Sequence, residues 1–173
     1  MLRKIVKNIR KMIYLYKRFF HTSIAKYRCA TYIEPLKVNG KTKLTKNTFL
    51  GKNTNFNGMV IKGGGKVCIG DNFHSGEECL MIIQIHNYDF GQAIPYDDSY
   101  ITQDIVIKDN VWVGDRVIIL GGVIIEEGAI IQAGSVVVSD IPKCAIDGGH
   151  PAKVFKYRDI EHYDKLKKKG MFH

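Results

Sequence analysis

Residues 107–142 read in sixes as IKDNVW, VGDRVI, ILGGVI, IEEGAI, IQAGSV and VVSDIP. The first column is Ile107, Val113, Ile119, Ile125, Ile131 and Val137; the fifth is Val111, Val117, Val123, Ala129, Ser135 and Ile141. Glycine and charged or amide side chains crowd the positions between. A helix repeats every 3.6 residues and a lone strand every two, so neither yields a clean period of six. A repeat this short marks a solenoid whose short strands turn corners and stack on the coils above and below. Working outward, Leu44, Leu50 and Phe56 fall in the same phase, Gly63–Gly65 interrupt it, and Ile69, Ser75 and Met81 resume it. The glycine run reads as a turn or bulge, since no phosphate-loop signature follows it.

DNVWVG (109–114), IQAGSVV (131–137) and GGHPAKV (148–154) make the chain resemble the hexapeptide-repeat acyltransferases over about residues 38–156. Within that family the likeness is to sugar O-acetyltransferases, including galactoside acetyltransferase and capsule-modifying enzymes. The resemblance implies an all-β solenoid, a left-handed parallel β-helix of triangular coils. It also implies acetyl-CoA as co-substrate, no metal, and a homotrimer with the coenzyme between subunits. The sixth column (Trp112, Ile118, Ile124, Ile130) faces outward on this reading, and such apolar stripes call for a partner.

Residues 87–105, NYDFGQAIPYDDSYITQDI, are too long for a corner and form an excursion. Long loops in compact domains are usually functional or disordered. Tyrosines and aspartates suit a sugar, with rings stacking and carboxylates accepting from hydroxyls; an oligomer contact is the alternative. His86 stands where this loop leaves the apolar run LMIIQI. A lone histidine is more often structural. The family, however, places its catalytic histidine just before this loop, which implies His86 as general base. An imidazole can take a proton from a hydroxyl and return it to a departing thiolate near neutral pH. Asp89, Glu77, Glu78 or a backbone carbonyl could hold its second nitrogen. The oxyanion needs a donor, expected around Asp115 or Gly114.

The resemblance further implies Trp112 beside the donor or acceptor, and Ala133 and Gly134 along the pantetheine arm. Asp115 belongs to the same cofactor set. Lys143, Lys153 and Lys156 would meet the coenzyme phosphates near the solenoid's end. Asn55, Tyr88 and Asp89 are the acceptor-binding candidates. His150 departs from the family pattern on the coenzyme side and reads as tuning that surface.

The chain has 173 residues and 45% hydrophobic content, enough for one domain with a filled core. Its four cysteines form no C-x-x-C pair and read as reduced thiols of a cytoplasmic protein. No secretory signal is evident. The net charge of +9 lies entirely in the head: residues 1–28 hold nine Lys or Arg and no acid, and the remainder is balanced. Within the head, Leu2, Ile5, Val6, Ile9, Met12, Ile13, Tyr16, Phe19 and Phe20 share a helical face. A basic amphipathic helix reads either as binding an anionic membrane, here the inner face of the cell membrane, or as packing its apolar face on the solenoid or another subunit. Nothing downstream offers a nucleic-acid platform. Residues 158–169 read as a helix stopped by Gly170, placed over the solenoid's open end. The organisation is thus a head (1–30), a β-helix (31–156) and a C-terminal capping helix (157–173).

The leading function is acetyl-CoA-dependent O-acetylation of a sugar hydroxyl in capsule, lipopolysaccharide or related glycan synthesis. The alternatives are N-acetylation of an amino sugar or small amine, and a zinc-binding or non-catalytic β-helix trimer. Zinc would need three histidines at an interface, and His74 and His86, twelve residues apart, fall on different faces.

Overall fold

The structure, a computed structural model, describes residues 2–173. Helix α1 (Leu2–Arg28) precedes β1 (Thr31–Val38), β2 (Thr48–Phe56), β3 (Met59–Lys62), β4 (Val67–Ile69), β5 (His74–Ser75), β6 (Cys79–Ile82), β7 (Gln84–His86) and β8 (Tyr100–Thr102). Then come β9 (Ile105–Ile107), β10 (Trp112–Val113), β11 (Ile118–Leu120), β12 (Ile124–Ile125), β13 (Ile130–Ile131), β14 (Val136–Val137), β15 (Ala145–Gly149), β16 (Ala152–Tyr157) and α2 (Ile160–Lys168). The strands wind a left-handed parallel β-helix of about six turns.

Three flat faces follow from the pairing. The first stacks the start of β2 on β4, β9 and β12. The second stacks the end of β2 on β5, β10, β13 and β15, with β16 closing it antiparallel. The third stacks β3, β6, β11 and β14. In the regular part successive coils differ by 18 residues, as in Val113 over Ile131 and Ile119 over Val137. That is three sixes, so each sixth residue returns to the interior and the next coil repeats its position. Both aliphatic columns are buried: every first- and fifth-column side chain from Ile107 to Ile141 is within 2% of full burial. Between them Trp112 and Ile124 are exposed, with Ile118 and Ile130 half-buried, so the sixth column does face outward.

Each corner has its own chemistry. Between the first and second faces, Asn53, Asn72 and Asn110 adopt left-handed backbone, which Asn tolerates better than most residues. Their amides form a ladder, Asn53 donating to Asn72 at 3.0 Å and Asn72 to Asn110 at 2.9 Å. Between the second and third faces the turns carry Glu77, Glu78, Asp115, Arg116, Ala133 and Gly134. At the third corner the glycine run makes the step from Ile61 to Ile69 eight residues instead of six. One coil later the same corner releases the excursion, which stretches the offset between Met81 and Ile119 to 38.

One expectation needs correction, and one alternative left open for the head falls away. Helix α2 does not cover the open end. It lies along the asparagine corner, where Tyr163 accepts from Asn110 and donates to Glu127, and the last face is closed instead by the β15–β16 hairpin. An antiparallel return strand serves there because it pairs the edge that a further coil would have paired. The apolar face of α1 does not pack on the solenoid either. Only Ala25 of that helix is buried, while Thr22 accepts from the Val38 amide at 3.0 Å and Lys26 pairs with Glu34.

Ile119 sits at the centre of the third-face column and is 1% exposed. Ile119→Ala should lower unfolding free energy by about 2–5 kcal/mol, the usual range for emptying a packed aliphatic site. Urea denaturation followed by circular dichroism would measure it.

Candidate functional site

The candidate residues divide into two groups on different sides of one chain. Outward positions of the second face form a ladder: Lys37, Asn55, His74, Trp112, Ile130, Ile146 and Lys156 are successive register partners. At about 4.8 Å per rung, Asn55 lies roughly 10 Å from Trp112, with His74 between them. Three to four residues along the chain from this ladder, Asp115, Ala133 and Gly134 occupy the neighbouring corner, all exposed. Lys153 pairs with Gly148 near that corner. Lys143 does not join Lys153 and Lys156. It lies on the asparagine corner, 4.0 Å from the Glu127 carboxylate.

His86 belongs to the other group. The solenoid strand ends at Ile82, and His86 lies on a two-stranded antiparallel ribbon, β7 with β8, rather than at the end of a core strand. After the buried Ile83 the apolar run turns outward, because Gln84 and Ile85 are no longer inside. His86 faces Tyr100 across the ribbon, and Tyr96 stacks on its ring at 3.8 Å between centroids. Its Nδ1 is buried with no hydrogen-bond partner. None of the expected carboxylates serves: Glu78 is held by Arg116 on another corner, Glu77 shares that corner, and Asp89 is exposed farther along the ribbon. Tyr88 is exposed beside Asp89.

The excursion corner is opposite the second face, so one chain cannot bring His86 to Asn55 or Trp112. The oxyanion donor expected at Gly114 is also engaged, since its amide donates to the Ile131 carbonyl at 2.8 Å. Gly114 must stay small: a Cβ there would meet the Ala133 amide nitrogen at 2.6 Å. The Asp115 carboxylate accepts from the Glu77 amide at 2.8 Å and so ties two coils together.

His74 escaped the sequence reading as a member of the second-face ladder. Its signal was the residue offset, 19 from Asn55 and 38 to Trp112, which is visible only once the inserted residues are counted. Burial lowers its pKa, helped by the nearby His173. The C-terminal residues Met171–His173 run back over this face. They join His74, Trp112 and Tyr163 in lining a groove of about 350 Å³, with the His173 carbonyl accepting from Asn53. Among the described residues no group of three or more His, Cys, Asp or Glu side chains could hold a metal ion.

The model of the bacterial transferase hexapeptide family (six repeats) matches residues 104–139. A hexapeptide-repeat acetyltransferase from Vibrio cholerae is 30% identical, over 73% of this chain and 69% of its own, with a TM-score of 0.59. Its complex with acetyl coenzyme A gives 29%, 75%, 67% and 0.57. A galactoside acetyltransferase in complex with coenzyme A is 28% identical, over 84% of this chain and 71% of its own, at a TM-score of 0.66. A maltose O-acetyltransferase from Clostridium difficile 630 is 26% identical, over 75% and 66%, at 0.58. No curated protein matches.

Tyr163 holds the groove's far wall. Burial and its bond to Glu127 push its phenol well above the usual range. Burial alone would raise the Glu127 carboxyl, but hydrogen bonds from Lys167 and Tyr163, with Lys143 nearby, carry it below the ordinary value. A carboxyl depressed in the folded state stabilises above its unfolded pKa and loses that contribution as pH falls through the folded one. Tyr163→Phe should cost about 1–3 kcal/mol and increase acrylamide quenching of Trp112, the single tryptophan. The wild type should show the same rise in quenching only at pH values below the ordinary carboxylate range.

Proposed function

The chain belongs to the hexapeptide-repeat acetyltransferases, and from that premise we propose that it transfers the acetyl group of acetyl-CoA to a hydroxyl of a sugar. The observation that carries this reading is the packing of His86. Its ring is clamped by Tyr96 and Tyr100 at the root of an exposed aromatic and acidic ribbon, with Nδ1 turned inward. A clamped ring with one shielded nitrogen leaves Nε2 as the atom that can meet an acceptor.

In the proposed reaction Nε2 takes the proton of the acceptor hydroxyl as its oxygen attacks the thioester carbonyl. The carbon–oxygen bond forms, the carbon–sulfur bond breaks, and the same proton passes to the departing thiolate. No serine or cysteine nucleophile takes part. For Nε2 to be the base, Nδ1 must carry the ring hydrogen, and a buried N–H without an acceptor is costly. The assembled site therefore has to supply that acceptor.

The rest depends on assembly. His86, Tyr88 and Asp89 on one chain, and Asn55, Trp112, Asp115, Ala133 and Gly134 on another, would meet only if the ribbon reaches a neighbour. We propose a homotrimer with three such shared sites. The pantetheine arm would lie along the corner where Ala133 and Gly134 offer little side-chain bulk, and the coenzyme phosphates would meet Lys153 and Lys156. Lys143, paired with Glu127, is left out. The galactoside and maltose enzymes among the similar structures support a sugar acceptor, within capsule, lipopolysaccharide or related glycan synthesis. The proposed setting is the cytoplasm, with any membrane contact peripheral.

A thiol-release assay with acetyl-CoA and a panel of glycosides, nucleotide sugars and glycan fragments tests the reaction. His86→Ala and His86→Asn should lower turnover by about 10²–10⁴-fold while acetyl-CoA still binds. Undiminished turnover in a folded His86→Ala protein would defeat the assignment. Light scattering at micromolar concentration should report three chains, and a monomer would remove the shared site.

A further inference from the structure

Helix α1 presents its apolar face away from the body it is attached to. At 100° per residue, Leu2, Ile5, Val6, Ile9, Met12, Ile13, Tyr16, Phe19 and Phe20 lie within an arc of about 140°, and the basic residues of the first 18 fill an arc of similar width opposite. The side that touches the solenoid is the basic one. Tyr14 bonds to Asn39 at 3.0 Å, Thr22 to the Val38 amide, and Ala25 is the buried residue. Ala25 points about 170° away from the middle of the apolar arc. The solenoid therefore takes the polar side, and Leu2, Met12, Tyr16 and Phe19 are each at least 70% exposed.

We propose that α1 is a membrane-surface helix that lies in the plane of an anionic phospholipid leaflet and holds the solenoid against it. Three features choose this occupant. The apolar arc is exposed along five turns and carries aromatic rings at Tyr16, Phe19 and Phe20, side chains that suit the boundary between headgroups and acyl chains. The helix has nine cations and no anion, which is complementary to an anionic leaflet. The same charge disfavours a second copy, since symmetry would bring like-charged helices together. No helix among the described residues is long and apolar enough to cross a membrane, so the helix binds the surface only.

The test uses the full chain and sedimentation with vesicles, a readout independent of acetyl transfer. Vesicles of phosphatidylcholine with phosphatidylglycerol should bind the protein at least about tenfold more tightly than phosphatidylcholine alone. Binding should weaken as salt shortens the screening length from roughly 8 Å at physiological strength. Ile9→Asp with Phe19→Ser should reduce it about tenfold or more by breaking the apolar arc, and Arg3→Glu with Arg10→Glu should do so through charge. All four side chains are exposed, so subunit number and melting temperature should stay unchanged. Undiminished vesicle binding by both double variants would overturn the proposal. So would a loss of subunit number in Ile9→Asp with Phe19→Ser, which would assign the face to another copy, or retention of duplex DNA in the absence of vesicle binding.

Discussion

Inward packing in register is the constraint on which the structure depends. A coil contributes one column residue per face, and each must land on its equivalent in the coil before. Phe56, Ser75, Val113 and Ile131 do so on the second face, as do Ile61, Met81, Ile119 and Val137 on the third. A slip of one residue would turn a whole strand inside out, because neighbouring side chains point to opposite sides. Extra residues can therefore be absorbed only at corners. They collect at one of them, first as the glycine run and then as the ribbon carrying His86. His86, the proposed base, stands where the packing rule leaves the chain free to depart from it.

The regular coils were legible because their period is set by that packing. From Ile107 to Ile141 both columns could be named from the residues, and each is buried. After Pro142 the pattern fades for a physical reason. The last coil is offset by 16 residues instead of 18, since Ile141 follows Ile125 and Asp147 follows Ile131. Asp147 takes an inward position, and burial raises its carboxyl pKa. A terminal coil packs on one neighbour only, so its column demands less of its side chains. The helix that follows could be recognised up to its stop at Gly170, and in the structure it runs from the Asp159 N-cap to Lys168. Its position could not, because the tie that sets it, Tyr163 between Asn110 and Glu127, joins residues 36 and 53 apart.

The candidate site was legible as a set of residues but not as a place. The six-residue phase placed Trp112 outside, whereas Ala133 and Gly134 were singled out by family resemblance. Whether His86 stands near them depends on which corner the excursion leaves from, and that requires counting the inserted residues around the triangle. The count puts His86 opposite the second face. Gly114 was the expected oxyanion donor for its position, yet regular coil pairing engages its amide before any substrate arrives. In a solenoid the amides within strands are spoken for by the next coil, so donors for a ligand must come from turns or from side chains.

The head shows the complementary limit. Segregation of cations and apolar residues is a property of one helix and can be read from its sequence. Which side meets the body is a property of two elements, and it is decided by a few small or polar contacts. Thr22 and Ala25 fit closely against β1 where a phenylalanine would not, and that fit turns the larger side chains outward. An apolar stripe in a chain is ordinarily taken as the side that packs. Here the solenoid has already filled its interior with its own columns, and it has no apolar slot left for the helix to enter. The stripe is left for something outside the chain, and the excess positive charge around it restricts what that can be.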